Sequence, residues 1–139
     1  MGRQPRTILA AALAMVFLTA IAGCTPAPSL TESDVVGTLS LEEGGEVVFD
    51  DDTVRFEGLY VSPLTGVGIG EQFSGSGTWE LNGKSSVSFE LPEWSGKYSA
   101  STPGLTDGAS LKAVVKGGEI QFNIFDPDRE IDYYLIKED

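Results

Sequence analysis

Much of the chain alternates between apolar and polar residues with a period of two. The clearest run is Val87, Phe89 and Leu91, which alternates with Ser88 and Glu90. This alternation is typical of β-strands that bury one face. The other runs are Val54, Phe56 and Tyr60 across Gly58; Leu111, Ala113 and Val115; Ile120, Phe122 and Ile124; and Ile131, Tyr133 and Leu135. The pattern predicts an all-β domain.

Residues that favour turns lie between these runs. Asn82-Gly83 and Gly117-Gly118 each join two runs, and both pairs tolerate the positive φ that tight hairpins require. Gly44-Gly45 and Asp50-Asp51-Asp52 separate shorter runs. Local turns indicate an antiparallel meander, and closing a meander removes its exposed edges. We therefore expect a small up-and-down barrel of about eight strands, with a β-sandwich as the alternative.

The N-terminus has the three parts of a secretory signal. Arg3 and Arg6 precede an apolar run, and small residues follow it. The apolar run covers residues 8–21, which is shorter than the stretch of about 20 residues that a membrane-spanning helix needs. The run ends in Ile21-Ala22-Gly23-Cys24, which resembles a bacterial lipobox. That resemblance implies cleavage before Cys24, recognised through Ile21, Ala22 and Gly23, and attachment of a diacylglycerol to the Cys24 thiol.

Such processing implies a location and a domain plan. Residues 1–23 would be the signal peptide, residues 24–34 a lipidated cysteine with a flexible tether, and residues 35–139 a single β domain. Two or three acyl chains hold a protein firmly at a membrane. We therefore expect a lipid-anchored protein on the extracytoplasmic face of the cell membrane.

The composition excludes several function classes. The chain has 21 acidic and nine basic residues, and loss of residues 1–23 with their two arginines moves the net charge from −12 to −14. Nucleic acid is not an expected partner, because phosphate binding needs a basic surface. Histidine is absent and Cys24 is the only cysteine, which excludes serine–histidine and cysteine–histidine catalysis and zinc sites built from these residues. We predict no enzyme activity, no cofactor and no metal site.

One acidic segment leaves an alternative open. Asp126, Asp128, Glu130 and Asp132 alternate at a spacing of two, and carboxylates at that density could hold Ca²⁺. Turn chemistry and a solvated strand face explain the same residues without a metal.

The candidate contact residues come from two unusual segments. Ser62–Gly77 carries five glycines among apolar residues, so it could form a loop over a ligand at a barrel mouth, or else a flexible connection or a locally bulged strand. Trp94 follows Pro92 and is a candidate binding anchor, or a plug that closes one end of the barrel. We name Ile69, Phe73 and Trp94 as candidate contacts of a ligand or partner.

Three stretches resemble the lipocalin-like lipoproteins of high-GC Gram-positive bacteria. These are Val35–Leu39, Ser76–Leu81, and Phe125–Asp128 together with Tyr133–Lys137. Lipocalin-like barrels tend to carry Gly-x-Trp on the first strand, whereas here Gly-Thr-Trp falls at residues 77–79. The resemblance therefore implies a fold more than an activity.

Two hypotheses for the function follow. The first is a membrane-anchored barrel that binds a small apolar ligand in its interior. The second is a cell-surface protein-interaction or inhibitor module with a filled barrel and no ligand. An apolar cavity larger than about 300 Å³ would favour the first hypothesis, and a filled interior would favour the second. The oligomeric state stays open.

Overall fold

A computed structural model describes residues 27–66, 68–96, 108–126 and 129–139, with the backbone alone at residues 68–70. A short helix, α1, precedes eight antiparallel strands that form a closed barrel in chain order. The predicted all-β class and up-and-down barrel are confirmed, and the sandwich alternative is wrong. The elements are α1 (Glu32–Val35), β1 (Gly37–Leu41), β2 (Glu46–Asp50), β3 (Thr53–Val61), β4 (Gly68–Asn82), β5 (Ser86–Ser95), β6 (Gly108–Lys116), β7 (Glu119–Asp126) and β8 (Ile131–Lys137).

The barrel closes where the first strand meets the last. β1 and β8 pair antiparallel, with Ser40 opposite Ile136 and Leu41 opposite Leu135. The backbone N–H of Glu138 adds a hydrogen bond to the Thr38 carbonyl at 3.0 Å. Both edges of the meander are therefore paired, which removes the open edges that favour aggregation.

The predicted alternation holds best in the middle of the strands. Val87, Phe89 and Leu91 are all buried, as are Phe122 and Ile124. It fails at two strand ends, where Val115 and Ile131 are exposed. These two positions lie next to a turn, where the barrel wall no longer covers an inward side chain.

A bulge in β3 makes one assignment wrong. Gly58 has a φ of +65°, and the β3–β4 register shifts between Phe56 and Leu59. An extra residue in one strand reverses the faces of the residues beyond it. Leu59 and Val61 therefore point inward, and Tyr60 is 45% exposed. The expectation that Tyr60 shares a face with Val54 and Phe56 is wrong for this reason.

The glycine-rich segment is mostly strand. β4 begins at Gly68, so from that residue onward the bulged-strand alternative is correct and the loop alternatives are wrong. The β4–β5 register shifts between Ser76 and Thr78. A Cβ on Gly77 would lie 1.7 Å from the Glu90 carbonyl oxygen. Gly77 is therefore required because the two backbones approach too closely for any side chain.

Residues before β1 close one end of the barrel. Leu30 and Val35 are buried, and the Leu30 N–H donates to the Lys84 carbonyl at 2.7 Å. The Lys137 ammonium donates to the Ser33 carbonyl at 2.7 Å. Leu30 and Ser33, which the sequence assigned to the tether, therefore contact the folded domain.

Two hydrogen bonds fix the start of α1. The Asp34 carboxylate accepts from the Thr31 hydroxyl and the Thr31 backbone N–H, both at 2.7 Å. These bonds stabilise the charged form, so they hold the pKa of Asp34 below its ordinary value of 3.8.

Candidate functional site

The interior of the barrel is filled by aromatic and aliphatic side chains. Phe56 lies at the centre, with its ring centroid 4.9 Å from that of Phe89 and 6.2 Å from that of Phe73. Towards the α1 end, Phe49 meets Trp79 edge to face at 5.4 Å. The largest fully buried side chains are Phe49, Phe56, Phe73, Phe122, Leu39, Leu59, Leu91, Leu111 and Leu135. Inward-pointing groups thus occupy the space that a ligand of a barrel this size would need.

Phe73 and Trp94 lie together at the end of the barrel opposite α1. Their rings stack at 5.9 Å with 28° between their planes. Phe73 is buried, and the half-buried Trp94 packs against the core. Gly75 stands opposite Trp94 in the register, and a Cβ there would lie 3.0 Å from the Trp94 Cβ. This is the arrangement of a plug, and contact of either residue with a ligand or partner stays a prediction.

The remaining candidate residues are only partly covered. The backbone of Ile69 belongs to β4, and its side chain lies outside the described residues. Ile21, Ala22, Gly23 and Cys24 also lie outside them. Within the described residues, no helix is long and apolar enough to cross a membrane.

Within the acidic segment of residues 126–132, the described carboxylates do not converge on one point. Asp126 is buried and faces inward, with the Arg129 Nε 3.8 Å from its carboxylate. Asp132 lies opposite the exposed Phe125 and faces outward. Asp128 is outside the described residues. Among the residues that the structure describes, no three acidic, histidine or cysteine side chains are placed to hold a metal ion.

Exposed apolar side chains lie on the outer wall formed by the last two strands. Phe125 is 52% exposed and Ile136 is 39% exposed. We call this wall the β7–β8 face, and the register defines it by three outward pairs: Gln121 with Ile136, Asn123 with Tyr134, and Phe125 with Asp132. Large contiguous apolar patches mark contact surfaces, and Phe125 and Ile136 are two exposed apolar side chains at the two ends of this face.

A groove of about 200 Å³ lies on the same face, bordered by β6 and the end of β1. We call it the Gln121 groove, and its lining includes Glu42, Lys116, Gln121, Asp132, Tyr134 and Ile136. The Lys116 ammonium lies 4.5 Å from the centroid of the Tyr134 ring. The Tyr134 hydroxyl donates to the Asp132 carboxylate at 3.4 Å.

Gln121 is the residue that the sequence analysis missed. It faces outward by register, yet it is only 7% exposed. Within the described part of the chain, its buried Oε1 has no hydrogen-bond partner. Its place in the sequence, between Ile120 and Phe122, predicts a solvated residue, and only the arrangement of three neighbouring strands buries it.

Comparison of the chain with protein-family models, with curated proteins and with solved structures found no match.

Proposed function

We propose that this protein is a lipid-anchored extracytoplasmic module that docks a positively charged protein on its β7–β8 face. The observation that carries the proposal is the contrast between a filled interior and exposed Phe125 and Ile136 on one outer wall. A barrel whose described residues fill the interior with apolar side chains favours recognition on its surface over a ligand inside. The closed eight-stranded barrel is consistent with the lipocalin-like lipoproteins, and we include that relationship in the proposal.

The anchor part of the proposal rests on the sequence around Cys24. Ile21-Ala22-Gly23-Cys24 is the lipobox-like stretch, and the chain from Cys24 leads to the barrel end that α1 closes. The opposite end and the barrel walls would then stand away from the membrane. Two or three acyl chains provide firm attachment, whereas one chain gives marginal binding.

The charge of the partner follows from the charge of the domain. The chain beyond residue 23 has a net charge of −14, Asp132 belongs to the β7–β8 face and Glu42 lies beside it. A negatively charged surface associates faster with a positively charged protein, and it repels a protein that is itself negatively charged. A basic protein or a basic segment of one is therefore the expected partner.

Photo-cross-linking on intact cells of the host tests the docking. A photoreactive phenylalanine analogue replaces Phe125 in one variant and Tyr60 in a matched variant, since both side chains are exposed aromatics on different walls. We expect a discrete adduct from position 125 and none from position 60. Absence of an adduct at 125, or the same adduct from both positions, would contradict docking on this face.

A separate variant tests the anchor. Cys24→Ala removes the proposed attachment site, so we expect the protein to leave the membrane fraction. Continued partition of this variant with membranes would show that something other than a lipid on Cys24 holds the protein there.

A further inference from the structure

The Gln121 groove already holds one ammonium group. Lys116 is on β6 and Tyr134 is on β8, so their contact crosses the intervening β7. In the register, Glu119 lies directly opposite Lys116. The Lys116 ammonium nevertheless lies over the Tyr134 ring, at 4.5 Å from its centroid. The face of an aromatic ring attracts a cation through its quadrupole. The groove therefore has a position over the Tyr134 ring that accommodates an alkylammonium group.

A second feature of the groove is an acceptor that no group in the described chain satisfies. The Oε1 of Gln121 is buried and unpartnered, and Gln121 lies on β7 between the strands of Lys116 and Tyr134. Buried polar atoms are nearly always hydrogen-bonded, and leaving one unpaired is costly. Gln121 lines the groove, so a ligand that brings an N–H donor could complete this covered acceptor once the neighbouring side chain of Lys116 moves away.

The charges at the edge of the groove determine which sign of charge the ligand carries. Glu42, Glu43 and Asp132 are exposed carboxylates on its border. A ring face, a neutral acceptor and surrounding carboxylates all favour a cation that carries several N–H donors. The ammonium group has three donors and no acceptor, and it can therefore serve the ring, Gln121 and one carboxylate together.

We propose that the Gln121 groove receives a lysine side chain of the partner protein, whose ammonium replaces that of Lys116 over Tyr134 and donates a hydrogen bond to Gln121 Oε1. The inference rests on the proposed function and names the chemistry by which the β7–β8 face recognises its partner. Lys116 then acts as an internal competitor, which covers the groove in the free protein and withdraws when the partner docks.

The test uses the protein purified from host membranes in detergent and two peptide probes. One is acetyl-Gly-Lys-Gly-amide, and the other is its norleucine counterpart, which has the same four side-chain carbons without the terminal ammonium. Nuclear magnetic resonance follows the side-chain amide of Gln121 and the ring of Tyr134 during titration. We expect the lysine peptide to shift both signals at saturable concentrations and the norleucine peptide to shift neither.

Two variants should change the affinity for the lysine peptide in opposite directions, and a third is their control. Lys116→Met removes the competitor and should tighten binding of the lysine peptide about three- to tenfold. Lys112→Met removes the same charge from the same face of β6 without touching the Tyr134 ring, and serves as the control. Gln121→Leu removes the acceptor and should weaken binding about tenfold.

Three results would overturn the inference. One is equal tightening by Lys116→Met and Lys112→Met, because that is the effect of net charge alone. Another is unchanged binding by Gln121→Leu, whose fold can be checked independently by its thermal transition. The third is equal binding of the norleucine peptide, which would make the groove an apolar contact. Cross-linking from position 125 is independent of this test, so a captured partner together with a failed lysine titration would overturn this inference and leave the proposed function standing.

Discussion

The inside of the barrel and its β7–β8 face meet opposite requirements. Inside, Phe56 contacts Phe73 and Phe89, and the surrounding positions are apolar and closely packed. On the β7–β8 face, Phe125 is half exposed and the buried Oε1 of Gln121 has no partner among the described residues. Close packing of the interior supplies stability. An unsatisfied buried acceptor is uncommon in a native structure, and in our proposal the partner protein satisfies it.

The largest expected change in stability comes from removing a large side chain from the barrel interior. Phe56→Ala removes the ring that two other aromatic rings contact, so we expect a loss of about 3–5 kcal/mol in the free energy of unfolding. Tyr60→Ala, on the same strand but facing outward, is the control and should change it by less than about 0.5 kcal/mol. Urea unfolding followed by tryptophan fluorescence measures both. Equal losses in the two variants would mean that the interior is not the main source of stability.

The next largest change in stability is expected where β4 and β5 approach each other closely. Gly77→Ala places a Cβ 1.7 Å from the Glu90 carbonyl oxygen. The backbone of β4 or β5 must move to relieve this clash. We expect a loss of about 2 kcal/mol or more, in the range of overpacked sites. Gly108→Ala is a matched strand glycine whose nearest neighbour would lie at 3.5 Å, and it should change stability by less than about 0.5 kcal/mol. A tolerated Gly77→Ala would contradict the bulged pairing of β4 with β5.

A substitution on the outer wall should raise the free energy of unfolding, whereas the two substitutions above lower it. Gln121→Leu replaces a buried unpaired acceptor by an apolar group of similar size, so we expect a gain of about 0.5–1 kcal/mol in the free energy of unfolding. The matched variant Asn123→Leu changes the next outward position on β7, which is only half buried, and should gain less. A loss on Gln121→Leu would indicate that the amide has a structural partner.

The smallest effect concerns Asp34 and depends on pH. Because its pKa is lowered in the folded protein, the carboxylate contributes stability above its unfolded pKa, and this contribution is lost as the pH falls through the folded value. Asp34→Asn should therefore lower the melting temperature slightly at pH 7 and make little difference in strong acid. Glu32→Gln, which removes the same charge from the same helix, is the control. A pH-independent difference would contradict a role for the ionised carboxylate.

The alternation of residues was sufficient to predict the barrel, but it could not reveal where the alternation breaks. Period-two patterning and the Asn82-Gly83 turn led to the strands and their antiparallel order, because these are local properties. Tyr60 was assigned to the wrong face because the bulge at Gly58 depends on how β3 pairs with β4. The filled interior could not be predicted from any single residue, because it depends on which side chains meet across the barrel.

The outer groove was beyond sequence reasoning for the same physical reason. Lys116, Gln121 and Tyr134 lie on three successive strands, and their meeting follows from the registers of β6, β7 and β8. Phe73 and Trp94 were named from composition, and the structure brings them together as a stacked pair. The lipobox-like residues at Cys24 remain a prediction from sequence alone.

Native mass spectrometry of the protein purified from its host's membranes tests the central claim most directly. A filled barrel that recognises its partner on the outer wall predicts the mass of the lipidated polypeptide with no additional small molecule. A small molecule that survives gentle ionisation and is lost on denaturation would contradict the account, because it would require space in the interior, and its mass would identify the ligand of a carrier.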